Sequence, residues 1–95
     1  MSKELTPAER HALRGRAHRL DPVVMIGAEG LTSAVLAEVD RALKAHELIK
    51  VRIGGADRDE RETLGDALAE ATDAAVVHRI GKILMLWRPG PEGDR

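Results

Sequence analysis

The stretch Pro22-Val-Val-Met-Ile-Gly-Ala-Glu-Gly-Leu-Thr32 is the most informative part of the chain, because an apolar run ends at two glycines three residues apart and a helical pattern follows at once. Val23–Ile26 is a short, β-branched run between a proline and a glycine, which predicts a buried strand. Thr32 is predicted to be the N-cap of the following helix. The stretch therefore predicts a strand, a Gly-x-x-Gly turn and a helix N-terminus in succession.

The local chemistry of the Gly27-Ala-Glu-Gly30 turn allows two interpretations. The N–H groups of residues 33–35 would lack intrahelical partners and would attract a phosphate. Alternatively, the two glycines only supply the φ angles of a tight turn. A third glycine and the Gly-Lys-Ser/Thr of a P-loop are both absent, so neither a dinucleotide nor a nucleoside triphosphate is favoured. A structural turn and a contact with a phosphate backbone both remain open at this point.

Length and composition indicate one domain over residues 1–95, with 43% hydrophobic and 33% charged residues. The absence of cysteine excludes disulfides and thiolate chemistry. No apolar run is long enough to cross a bilayer, and the sequence Met-Ser-Lys-Glu at the start lacks a signal-peptide core. We therefore expect a cytoplasmic protein without a membrane partner.

The net charge of -1 conceals a segregation of charge along the chain. Residues 10–20 include four arginines, two histidines and no acid. Arg14 and His18 share one flank of the helix predicted there, and such a basic face can bind RNA on a globally neutral protein. The alternative is the solvated face of an ordinary amphipathic helix.

The other elements follow from capping signals, hydrophobic spacing and turn residues. Helices are predicted over 7–19, 33–45 and 57–72, and strands over 23–26, 48–53, 75–80 and 83–87. The order α-β-α-β-α-β-β predicts an α/β fold with a mixed four-stranded sheet, in which the first two strands are parallel. The last two strands form a hairpin around Gly81-Lys82, and the turn-rich residues 89–95 are expected to be a mobile tail.

Two elements carry more detailed predictions. The second strand alternates, which places Lys50 and Arg52 on the same face as Leu48, and Ile49, Val51 and Ile53 on the other. In the third helix the predicted buried stripe consists of Leu64, Ala67, Leu68 and Ala71. The strand therefore has one basic face.

Several ordered blocks of the sequence resemble a known family. They are Leu13-Arg-Gly-Arg-Ala-His18, Pro22-Val-Val-Met-Ile-Gly27, Gly30-Leu-Thr32, His46-Glu-Leu-Ile-Lys-Val-Arg52 and Ile80-Gly-Lys82, closing with Leu86-Trp-Arg88. Together they resemble the CRM domain, named for chloroplast RNA splicing and ribosome maturation, and in particular its stand-alone bacterial YhbY form. The resemblance covers nearly the whole chain.

The resemblance implies an RNA-binding domain with a fold like the C-terminal domain of translation initiation factor three. It also implies association with ribosomal RNA in precursors of the large ribosomal subunit, and a role in ribosome maturation. We expect a monomer without cofactor, metal ion or small-molecule substrate. The expected RNA contacts are Arg14, His18, Gly27, Ala28, Glu29, Gly30, Lys50, Arg52, Lys82 and Arg88. Glu29 departs from the family pattern, since members often carry a polar or basic residue in this loop, and the tail is not basic.

Two other functions compete with RNA binding. A nucleotide-acting enzyme could draw acid–base groups from His46, Asp57, Asp59 and Glu60, but no carboxylate lies in an apolar run that would raise its pKa, and no His-x-x-x-His spacing indicates a metal site. We therefore predict no catalytic residue. A protein-binding accessory factor of the ribosome could instead dock through the acidic third helix.

Trp87 is the only Trp, Tyr or Phe in the chain. Platforms for single-stranded RNA need several aromatic side chains, so we predict contact with phosphates of structured RNA instead. Trp87 itself is expected to anchor the core or a sheet edge.

Overall fold

A computed structural model describes residues 4–55 and 57–90, which form three helices and a four-stranded sheet. In chain order the elements are α1 (Pro7–Ala17), β1 (Pro22–Ile26), α2 (Ser33–His46), β2 (Leu48–Ile53), α3 (Arg58–Ala71), β3 (Ala75–Ile80) and β4 (Ile83–Trp87). The predicted order is confirmed, although α1 ends two residues earlier than predicted. Gly90 is buried, and residues 91–95 of the predicted mobile tail lie outside the described residues.

The first and third helices begin where side-chain caps satisfy their free N–H groups. At α1 the Thr6 hydroxyl accepts a hydrogen bond from the Glu9 N–H (3.1 Å), and the Glu9 carboxylate accepts one from the Thr6 N–H (2.9 Å). This hydrogen bond from the Thr6 backbone is the main reason why the pKa of Glu9 is lowered. At α3 the Asp57 carboxylate accepts the Glu60 N–H at 2.9 Å. Both predicted capping signals are confirmed.

The strands lie in the order β1-β2-β4-β3. β1 and β2 are parallel, whereas β4 is antiparallel to both β2 and β3, which confirms the mixed sheet. The β3–β4 hairpin closes with Ile80 opposite Ile83, and Gly81 has a φ of 56°, which suits glycine in the first turn position.

Helices cover both faces of the sheet. On one face, called the α1 face, the helix packs through a cluster formed by Leu13, Ala17, Leu48, Val77 and Met85. Trp87 packs against the same cluster, which agrees with its expected role as an anchor. The opposite face carries α2 and α3 over a larger cluster that includes Ile26, Val39, Leu43, Ile49, Val51, Leu68 and Leu86. The domain therefore has three layers, which are α1, the sheet, and α2 together with α3.

The prediction of β1 as a buried strand is wrong for one of its two faces. Val24 and Ile26 are buried under α2, but Val23 and Met25 are 46% and 68% exposed on the α1 face. β1 is an edge strand, and α1 packs over β2 and β3 instead. Part of the α1 face is consequently open to solvent.

The predicted buried stripe of α3 is also partly wrong. Ala67 and Ala71 are exposed, while Gly65, Leu68 and Ala69 are buried. A Cβ at Gly65 would lie 3.2 Å from a methyl carbon of Leu84, so α3 approaches the sheet through this glycine. The prediction from hydrophobic spacing selected alanines and not the glycine, so the predicted stripe is rotated around the helix relative to the observed buried face.

Candidate nucleic-acid interface

Three glycine-containing loops meet at one end of the sheet, which we call the loop end. They are residues 27–30 after β1, 54–55 after β2, and 81–82 between β3 and β4. Backbone hydrogen bonds join them, since the Gly54 N–H donates to the Ile26 carbonyl (2.9 Å) and the Ile53 N–H donates to the Lys82 carbonyl (2.8 Å). Lys82 is thereby held at the same end of the sheet as the predicted phosphate loop.

The two glycines of the first loop have different roles. The Gly30 N–H donates to the Gly27 carbonyl at 3.0 Å, which closes a turn with Ala28 and Glu29 at its exposed tip. Gly30 has a φ of 74°, a conformation that other residues rarely adopt. Gly27 does not have a positive φ, and no atom lies within 4 Å of the place where its Cβ would be. The fold thus accounts for Gly30, while the open side of Gly27 would let a ligand approach the backbone.

The start of α2 lies directly after this turn. Thr32 is the N-cap, as predicted, and its hydroxyl accepts the Val35 N–H at 3.1 Å. The prediction of free N–H groups at residues 33–35 is therefore wrong for Val35. The first residues of the helix, Ser33 and Ala34, are exposed beside the loop.

A row of side chains crosses the whole sheet next to the loop end, and we call it the terminal row. Its members are successive register partners on the α1 face: Met25 on β1, Arg52 on β2, Ile83 on β4 and Ile80 on β3. Met25, Arg52 and Ile80 are exposed, and Ile83 is half-buried. None of the three described helices covers this row, so Arg52 lies in the middle of an open, mainly apolar strip.

The next row on the same face places further basic groups beside the terminal row. Lys50 pairs with Met85, and Met85 pairs with His78 across β4. Arg14 belongs to α1, which packs on this face over β2 and β3. Burial, and to a lesser extent the positive charge of Arg14, lowers the pKa of His78. The structure therefore brings Arg14, Lys50 and Arg52 onto one face, and neither row contains a carboxylate.

Arg88 lies apart from the other predicted RNA contacts. It follows β4 at the far end of the sheet, roughly 15 Å from the loop end by strand length. Its guanidinium donates to the Asp40 carboxylate (2.9 Å), the Asp40 carbonyl (3.2 Å) and the Thr72 carbonyl (2.7 Å). Arg88 thus joins the C-terminal end of α3 to α2 and is left out of the interface proposed below.

The remaining candidates occupy exposed positions. His18 is the C-cap of α1, and its N–H donates to the Arg14 carbonyl at 3.1 Å. The acid–base groups of the enzyme alternative are separated, because Asp57 caps α3 at the loop end whereas His46 ends α2 at the other end of the sheet. Within residues 4–55 and 57–90, no helix is long and apolar enough to cross a membrane.

The apolar members of the terminal row are not evident from the sequence. The sequence pattern predicts Met25 in a buried strand and indicates no role for Ile80 and Ile83 beyond the hairpin. Because residues 23–26 are all apolar, the sequence contains no alternation that would identify the exposed side of β1, which depends on where α1 packs.

A small α/β domain with an open basic sheet face beside a glycine turn has the features of a nucleic-acid-binding module. Comparison with known proteins gives the particular family. The family model for the CRS1 / YhbY (CRM) domain matches residues 5–88, and the chain belongs to this family.

Several bacterial relatives are named for RNA binding. An RNA-binding protein of Haemophilus influenzae is 49% identical over 88 residues, which cover 93% of this chain and 89% of that protein. A probable RNA-binding protein of Pseudomonas aeruginosa is 38% identical over 91 residues, covering 96% of this chain and 88% of that protein.

A solved structure confirms the fold assignment. The solution structure of a Staphylococcus aureus protein, described as hypothetical and as a candidate RNA-binding protein, superposes with a TM-score of 0.82. It is 32% identical and covers 92% of this chain and 91% of that one.

Proposed function

We propose that the protein is a cytoplasmic RNA-binding factor that associates with precursors of the large ribosomal subunit and assists their maturation. It contacts phosphates of structured ribosomal RNA through the glycine turn and the open part of the α1 face. The observation that supports this proposal is the position of Lys50 and Arg52 on the α1 face of β2, with Arg14 on α1 above the same face, and the absence of a carboxylate from the terminal row and the row next to it. Lys82 and the open side of Gly27 extend the same surface at the loop end.

The geometry favours phosphate contacts over a platform for successive unpaired bases. Trp87, the only large aromatic side chain, packs against the α1 cluster at the far end of the sheet. Lys50 and Arg52 on β2, with Lys82 in the β3–β4 turn, are instead placed to contact separate phosphates along a folded RNA. His18 and Glu29 would lie at the margins of this contact.

The first experiment compares two double variants that remove equal charge. Lys50→Ala/Arg52→Ala changes the proposed interface, and Arg41→Ala/Lys44→Ala changes exposed positions of α2 in the opposite layer. Binding to a large-subunit RNA fragment is measured over a range of salt concentrations. Each lost phosphate contact should reduce the salt slope by about one unit, so the first variant should lose about two and the second none. Equal binding by wild type and Arg14→Ala/Lys50→Ala/Arg52→Ala would refute the assignment.

The second experiment tests the ribosomal setting. Sedimentation of cell extracts should place the protein with particles that contain precursor large-subunit RNA, and Lys50→Ala/Arg52→Ala should shift it to the top of the gradient. Brief ribonuclease treatment should release the wild-type protein. An association that resists ribonuclease would favour docking on a ribosomal protein.

A further inference from the structure

The terminal row has a composition that phosphate binding alone does not explain. Met25 is 68% exposed and Ile80 is 55% exposed, which makes them the two most exposed large apolar side chains of residues 4–55 and 57–90. They lie in one row with Arg52 and the half-buried Ile83. Exposure of large apolar side chains to water is unfavourable in free energy. A contiguous strip of them therefore indicates a surface that a binding partner covers.

Met25 and Arg52 are direct neighbours on β1 and β2. Their strands lie about 4.8 Å apart, so the two side chains together present a surface about as wide as one nucleobase. A thioether makes favourable contacts with aromatic rings, and a guanidinium plane stacks on bases. Ile83 and Ile80 continue the strip on the other side of Arg52.

We infer that the terminal row binds one unpaired nucleobase of the RNA, stacked on Met25 and Arg52, while the neighbouring cations hold the flanking phosphates. This inference rests on the proposed function and narrows its substrate to a duplex with a bulged or otherwise unpaired nucleotide. Unpaired nucleotides of folded RNA can be splayed out and stacked in this way, whereas paired bases cannot.

Charge argues for RNA as the occupant instead of a second copy of the chain. In a symmetric dimer the same patch meets itself, so Arg52 and Lys50 would face their own counterparts across an apolar contact. An RNA strand instead supplies both an apolar base and the negative charge that these cations need. Lys82 lies in the adjacent hairpin turn, where the RNA backbone would continue beyond the terminal row.

The test uses two RNA hairpins that differ only in a single bulged nucleotide. Wild type should bind the bulged hairpin about three- to tenfold more tightly, since a stacked base contributes a comparable amount in other proteins. Met25→Thr and Ile80→Thr should lose this preference with an unchanged salt slope. Arg52→Ala should lose both the preference and about one unit of slope. Val23→Thr is the matched control, because Val23 is an exposed apolar residue of the same strand outside the row.

The outcomes separate this inference from the proposed function. If wild type binds both hairpins equally and Arg52→Ala still reduces the salt slope, the inference that the terminal row binds an unpaired base is refuted. The proposed phosphate contacts are then unaffected. Failure to bind either hairpin would count against the proposed function itself. Light scattering on wild type and Met25→Thr tests the other occupant, and a dimer that dissociates in the variant would assign the strip to a second copy. Threonine keeps the strand propensity of these positions, and thermal unfolding verifies that the variants are folded.

Discussion

At the scale of single residues, Glu29 is the group least suited to the proposed interface. Its carboxylate is exposed at the tip of the 27–30 turn, beside the place where a phosphate would bind. Glu29→Lys should tighten RNA binding by roughly 0.5–1 kcal/mol, because solvent weakens charge interactions at exposed sites, and folding should be unaffected. Affinity is compared with that of Glu38→Lys, an exposed acid of α2 that should respond much less. An equal gain in both variants would show only a general effect of charge.

Substitutions at the two turn glycines can separate an effect on folding stability from an effect on RNA binding. Gly30→Val forces a β-branched residue into a φ of 74° and should lower the free energy of unfolding by about 1–3 kcal/mol. Gly27→Ala meets no atom within 4 Å, so stability should stay close to that of wild type. Loss of RNA affinity in Gly27→Ala, measured beside thermal unfolding, would show that a ligand approaches this backbone. If Gly27→Ala binds normally and Gly30→Val harms stability alone, the loop is a structural turn.

At the scale of elements, Arg88 connects α2, α3 and the end of β4. Its hydrogen bond to Asp40 is the main reason why the pKa of that carboxyl is lowered, with a smaller contribution from Lys44. This interaction is therefore present above the ordinary pKa of 3.8 and is lost as the pH falls through the lowered folded-state value.

Arg88→Ala should reduce the free energy of unfolding by about 1–3 kcal/mol, because the buried Thr72 carbonyl loses a charged donor. Chemical denaturation measures this change. Arg41→Ala, an exposed arginine of the same helix as Asp40, should be nearly neutral. RNA affinity of folded Arg88→Ala should match wild type, and a reduced salt slope would return Arg88 to the interface.

At the scale of the whole molecule, packing of α1 over only part of the sheet produces both the open face and a pH dependence. His78 is a half-buried residue of β3 on the α1 face, and its pKa is lowered chiefly by burial. The unfolded chain therefore binds this proton more readily than the folded one. Stability should fall as the pH drops through about 6.5, the ordinary value for histidine, and should be regained as the pH rises above it.

His78→Gln should flatten this part of the stability profile. Urea denaturation at pH 5, 6, 7 and 8 measures it, with His11→Gln as a control at an exposed position of α1. A profile that is unchanged in His78→Gln would mean that other groups cause the pH dependence.

The amino-acid sequence alone determined the order and type of every element, because the signals for these are local. Thr6, Thr32 and Asp57 act within three residues of themselves as caps, and Gly81 sets a two-residue hairpin. The family was also evident in the sequence, since ordered blocks of residues keep their spacing whatever the packing. Alternation along β2 correctly placed Lys50 and Arg52 on one face.

Only the tertiary structure decided which of these residues come together. In the sequence Arg88 is equivalent to the other cations, and only its contacts with Asp40 and Thr72 distinguish it, because those partners are 48 and 16 residues away. Met25 belongs to an apolar run that would suit a buried strand, and it is exposed only because α1 packs elsewhere on the sheet. Burial depends on contacts between segments that are far apart in the sequence, so the spacing of residues along one segment does not determine it.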